Sequence, residues 1–141
     1  MDLNKIILGA GTNTVKEMDS VVVVQQASDF GTIDSSKVYL LDGIIDMGST
    51  TIVVPATGIT IIGYSFDVSG LTSSASNYTM FTSESIAIGS GNVLMTDILL
   101  SVTGASSKVY ELYDATGFNA HELNRVNYND CTSLGDLYDY R

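Results

Sequence analysis

The chain has 141 residues, 45% hydrophobic and only 16% charged, with 16 acidic side chains against 6 basic ones and a formal charge of −10. That length carries one domain with a real core, and an acidic balance of this size repels nucleic-acid phosphates and anionic membrane surfaces. With so few charges the polar surface must come from Ser, Thr, Asn and Gly, which suit turns and strands, so the composition predicts an all-β domain and not a helical bundle.

Residues 1–34 read as an N-terminal arm and capping or docking segment. Residues 1–16 are Gly/Thr/Asn-rich around the apolar patch Ile6-Ile7-Leu8, 21–24 is a β-branched run, and 27–31 holds one helical turn. The opening lacks a basic start and a long apolar segment, so it does not read as a signal peptide. No run approaches the ~18 apolar residues of a membrane span.

From 35 to 141 the punctuation becomes regular. Apolar runs at 38–41, 44–45, 52–54 and 59–62 are separated by Asp42-Gly43, Gly48-Ser49, Pro55-Ala56-Thr57-Gly58 and Gly63. Runs this short are strands, and corners this tight suit a chain that keeps coiling in one direction. An internal repeat supports the coil. Met95, Ile98 and Leu100 return as Leu123, Val126 and Tyr128 at an interval of 28 positions, and Asp97 falls on Arg125. Stacked strands favour such an opposite-charge pair. A looser match sets 78–81 against 108–112 at a spacing of about 30. The expected fold is a short, right-handed, single-stranded parallel β-helix with strands stacked ~4.8 Å apart; a β-sandwich or jelly roll is the alternative. Residues 134–141 read as a strand just beginning, with no cap after it. Either a partner subunit covers that end or the chain leads into a longer polypeptide.

The acidic residues offer several carboxylate pairs: Asp42 with Asp46, Asp97 with Glu122, Glu111 with Asp114, Asp136 with Asp139. Glycoside hydrolysis needs two carboxyl groups roughly 5–9.5 Å apart, and Asp97, Asp114 and Glu122 are the set such a site would use. Carboxylates beside glycine are also ordinary turn residues, so no catalytic residue is assigned. His121 is the only histidine. Glu122 beside it would face the opposite side of a strand, no Gly-x-Ser-x-Gly elbow exists, and His121 reads as a surface or corner residue. Asp29-Phe30-Gly31 lacks the other kinase elements, and Gly9-Ala10-Gly11 and Gly89-Ser90-Gly91 lack the third glycine of a dinucleotide loop. Neither a calcium loop nor a zinc ligand set is present, so no metal and no cofactor is predicted. Cys131, the only cysteine, excludes an intrachain disulfide and reads as a small interior hydrophobe. Tyr113, Tyr128, Tyr138 and Tyr140 crowd the last third, with Tyr138 and Tyr140 placed on one face by alternation. They read as interface residues, because tyrosine suits contacts where one end stays wet.

The segments 38–48, 51–55 and 58–63 (VYLLDGIIDMG, TIVVP, GITIIG) resemble the opening rungs of pectate-lyase-like β-helix proteins. The later runs at 92–102, 108–114 and 122–139 are similar to the β-helices of bacteriophage tail fibres, tailspikes and other virion surface proteins. The resemblance covers roughly residues 20–141 by pattern, without an invariant signature. It implies a homotrimeric structural or attachment protein of a virion, made in the host cytoplasm, whose N-terminal segment grips other virion proteins and whose distal part meets a host surface glycan. A polysaccharide lyase or hydrolase on the same scaffold is the alternative. The calcium-binding aspartates and basic residue of the lyases have no counterpart here.

Overall fold

The computed structural model describes residues 6–8, 16–18 and 20–141, with side chains from Ser20 onward. Strands β1 (Ile6–Leu8) and β2 (Lys16–Met18) pair antiparallel. The remaining strands are β3 (Ser20–Val24), β4 (Lys37–Leu41), β5 (Ile44–Asp46), β6 (Ile52–Val54), β7 (Ile59–Gly63), β8 (Gly70–Ser73), β9 (Thr79–Ser83), β10 (Val93–Val102), β11 (Lys108–Tyr113), β12 (His121–Tyr128) and β13 (Gly135–Tyr138). All of these pair in parallel. One sheet runs β3-β4-β7-β10-β8-β5, with β12 also on β10; another runs β13-β11-β9-β6. The chain is all-β, built on parallel sheets. The one helical feature predicted at 27–31 is a 3-10 turn at Ala27–Asp29.

The sequence repeat is a pairing register. Met95 pairs with Leu123, Ile98 with Val126 and Leu100 with Tyr128, while Thr79 pairs with Lys108 and Phe81 with Tyr110. Strand β10 explains how three sheet segments become two. Val93 to Thr96 lie on β7, and Leu99 to Val102 lie on β8. Between the halves Asp97 adopts φ 58°, and Arg125 bends β12 at the equivalent point with φ 52°. What is a strand, a loop and a second strand in one layer is a single bent strand in the next.

Parallel pairing in register puts like positions above one another and builds the core as columns. Tyr39, Ile61 and Met95 form one, Ile45, Leu71 and Leu100 a second, and Ile52, Phe81 and Tyr110 a third. None of these nine is more than 3% exposed. The Phe81 and Tyr110 rings stack at 5.5 Å. The serines and threonines that replace charge in the composition have a defined use. Ser69 donates to the Leu41 carbonyl at 2.9 Å, 28 residues away, Thr51 to Thr79 at 2.8 Å, and Thr132 to Gly104 at 2.9 Å. Ser83 and Ser90 bond each other at 2.6 Å, and Ser90 donates to the Val54 carbonyl at 2.9 Å. These hydroxyls satisfy carbonyls at the corners, where the strand ladders stop. Glycine matters where layers touch: a Cβ on Gly70 of β8 would lie 2.6 Å from the Leu99 carbonyl oxygen and 2.8 Å from the Leu99 Cβ.

The two ends of the stack differ. Near β3, Phe30 (5% exposed) and Ile33 (9%) fold over the core, and Phe30 stacks on Tyr39 at 5.6 Å. Strand β3 already pairs with β4, so the sheet begins inside the stretch 1–34 assigned to the arm. The docking role expected of the arm's first residues falls largely outside the described residues.

Candidate functional site

The carboxylates expected of a cleavage site have separate tasks. Asp97, at the bend of β10, receives a two-pronged contact from the Arg125 guanidinium: Nε meets Oδ1 and Nη2 donates to Oδ2 at 2.8 Å. This fork holds the Asp97 carboxyl below the usual carboxylate range. Both residues sit at left-handed bends in successive layers, so the ion pair clamps one corner on the next.

Asp114 lies past the end of β11 and is 4% exposed. Burial acts to raise its pKa, but four hydrogen bonds outweigh burial and hold it well below the carboxylate range. Oδ1 accepts from the Thr116 backbone N–H (2.9 Å), the Thr116 hydroxyl (2.8 Å) and the Asn119 amide (2.7 Å); Oδ2 accepts from the Asn119 N–H (2.6 Å). The group is the organising centre of the loop into β12, with both oxygens occupied. Glu122 is the second residue of β12 and faces solvent.

His121 differs from the surface or corner residue expected. It pairs in register with Val93, an inward position, and its ring meets Tyr110 edge-on at 4.6 Å. The Nε2 atom is buried without a hydrogen-bond partner, and burial lowers the imidazole pKa. As expected for adjacent strand residues, Glu122 points the other way. Cys131 packs against the edge of the core at intermediate burial, with its Sγ 3.5 Å from the Leu100 carbonyl oxygen.

The four tyrosines divide. Tyr128 and Tyr140 pack on the core. The Tyr128 hydroxyl bonds the Tyr110 hydroxyl at 2.8 Å, and Tyr140 donates to the Gly91 carbonyl at 2.8 Å. Burial pushes the Tyr140 phenol up to about 12. Tyr113 and Tyr138 stack almost coplanar, with centroids 4.4 Å apart and 5° between planes, and Tyr138 is 41% exposed. Tyr138 and Tyr140 do not share a face as alternation predicted, because β13 ends at Tyr138 and Asp139 turns the chain with φ 64°.

Among the described residues no group of three His, Cys, Asp or Glu side chains is placed to hold a metal. A shallow groove of about 340 Å³ lies between the segment 31–33 and Thr51, Val53, Pro55 and Glu84. Glu84 is its sole ionisable lining group among the described residues. The last layer also exposes apolar side chains. Leu123, Leu134, Leu137 and Tyr138 are each between 38% and 48% exposed there. Sequence reading singled out the tyrosines of this end; Leu123 was legible through its 28-residue match to Met95, whereas Leu137 pairs with Leu112 at a spacing of 25, outside that interval. Compared with known proteins, the chain matches no family model, no curated protein and no solved structure.

Proposed function

We propose that this chain is a right-handed, single-stranded parallel β-helix acting as a structural and attachment element of a bacteriophage particle, as tail fibre, tailspike or capsid-decorating fibre. The observation that carries the mechanical part of the reading is the use made of the polar groups. Corner hydroxyls close carbonyls, Asp114 organises a loop, and Asp97 is locked to Arg125. Side chains committed to holding layers together suit a rigid rod better than a reaction centre, which keeps a reactive carboxylate free. Parallel in-register pairing of successive strands, with hydrogen bonds bridging 28 residues at several corners, supports the coil. The virion assignment rests on the pattern resemblance of residues 38–63 and of the later runs.

In this reading three chains pack side by side, the N-terminal segment holds neighbouring virion proteins, and the distal part faces the host surface glycan. Light scattering with unheated denaturing gels tests it: three chains of 15.0 kDa give a particle of about 45 kDa, and a monomer at all concentrations removes the trimeric fibre. Incubation with host surface polysaccharide tests the role itself, since release of reducing ends or unsaturated sugars would replace it with a depolymerase.

A further inference from the structure

Parallel stacking lines up outward side chains as well as core ones. On the first sheet Val23 pairs with Leu40, Leu40 with Ile62 and Ile62 with Thr96. Their chain neighbours Val24, Tyr39, Leu41, Ile61 and Met95 belong to the core, so this column faces outward. It carries no charge. Val23 is 49% exposed and the other three are partly exposed. Val38 and Thr60, two positions back on the same side, are already buried, so the open surface is the half of the face nearest the loop that leaves β7.

That loop, 64–69, continues the apolar surface. Ser65 folds it into a tight turn: its carbonyl accepts from the Ser69 N–H at 2.8 Å, and its hydroxyl accepts from the Asp67 N–H at 3.2 Å. The turn holds Tyr64, Phe66 and Val68 at 63%, 38% and 54% exposure, with Asp67 as its single charge. Adjoining apolar side chains left this open mark a contact surface.

Charge decides what can cover it. With a formal charge of −10, copies of this chain repel one another unless they meet where carboxylates are absent. Two other outward columns fail that condition. Asp46 lines up with Thr72 and Ser101, and Glu111 lines up with Thr82 and Val53. A further uncharged column, Ile44, Gly70 and Leu99, is interrupted by glycine. An uncharged apolar column offers nothing by which a basic or acidic partner would be selected; it fits another uncharged surface, and its own copy supplies one.

We propose that the column Val23, Leu40, Ile62 and Thr96, with the adjoining Tyr64 and Phe66, is the face through which copies of this chain pack side by side. The proposal rests on the trimeric reading above and adds which side of the sheets turns to the shared axis. Tyr64 and Phe66 supply the aromatic anchors of the contact.

Val23 and Val53 make a matched pair for the test: the same residue type, 49% and 44% exposed, on different sheets. Light scattering of the full chain over a dilution series compares Val23→Glu with Val53→Glu. The unsubstituted chain and Val53→Glu are expected at about 45 kDa, three chains of 15.0 kDa. Val23→Glu should fall apart at a concentration at least about tenfold higher. Tyr64→Glu, on the loop and not in a strand, should do the same, and it decides the question if circular dichroism shows Val23→Glu to be unfolded. A trimer that both Val23→Glu and Tyr64→Glu leave intact would overturn this face and leave the trimer itself standing. Equal weakening by Val53→Glu would also overturn it, since added charge anywhere would then suffice. A monomer at every concentration, without any substitution, would overturn the proposal together with the reading it rests on.

Discussion

Leu112 and Leu137 allow the open layer to be weighed energetically, because they are the same residue type on the same column, one layer apart. Truncating either to alanine removes roughly three methylene equivalents at about 0.8 kcal/mol each, or about 2.4 kcal/mol of transfer free energy if fully buried. Leu112 is fully buried, so its truncation also leaves an enclosed cavity, and the total should reach about 3–4 kcal/mol. Leu137 keeps 38% of its surface in water; its transfer loss scales down to about 1.5 kcal/mol, and no cavity closes around the gap. With a urea dependence of about 2 kcal/mol per molar for a chain of this size, Leu112→Ala should lower the unfolding midpoint by roughly 1.5–2 M and Leu137→Ala by less than about 0.8 M. Urea titrations followed by circular dichroism at two protein concentrations check this. Equal shifts for the two variants would refute the reasoning that Leu137 lacks a covering layer. Equality that vanishes on dilution would show that other copies cover it in solution.

Three further perturbations follow from particular contacts. Gly70→Ala places a Cβ against the Leu99 backbone and Cβ between β8 and β10, and should destabilise by about 1–3 kcal/mol or more in the same urea titration, whereas an exposed threonine changed to alanine should not. His121 has a folded-state pKa below its unfolded value because burial disfavours the imidazolium. The unfolded chain therefore takes up the proton first: stability is level above about pH 7, falls as pH drops below about 6.5, and levels again below the folded pKa. As His121 is the only histidine, His121→Phe should flatten the stability profile between about pH 5 and 7; a slope that persists would place its origin elsewhere. Asp114→Ala removes the acceptor for two part-buried backbone N–H groups of the loop into β12 and should cost about 1–2 kcal/mol, with hydrogen exchange rising first at Thr116 and Asn119.

Two of the strand pairings, β10 with β12 and β9 with β11, were legible because parallel stacking writes each pair into the sequence as an interval. The match of Met95, Ile98 and Leu100 to Leu123, Val126 and Tyr128 is the pairing observed, and the opposite charges of Asp97 and Arg125 meet. Both successes have one physical origin: in a register-stacked pair, like positions become neighbours, so side chains that suit one another are selected at a fixed spacing. Local alternation was a weaker guide. It fails at Asp139, where a left-handed residue breaks the period that would have joined Tyr140 to Tyr138, and nothing in an aspartate announces that conformation when Asp136 nearby remains in a strand. It also gave no warning that His121 points inward, since the inward column above Ile59 and Val93 is visible only once β7, β10 and β12 are laid in register. The candidate site was hardest to read because its defining property is an absence of neighbours. Leu137 and Leu112 look alike as letters, and composition cannot say which has a layer above it. Only the stack distinguishes a core leucine from an exposed one: Leu112 is fully buried, and Leu137, on the same column, is 38% exposed.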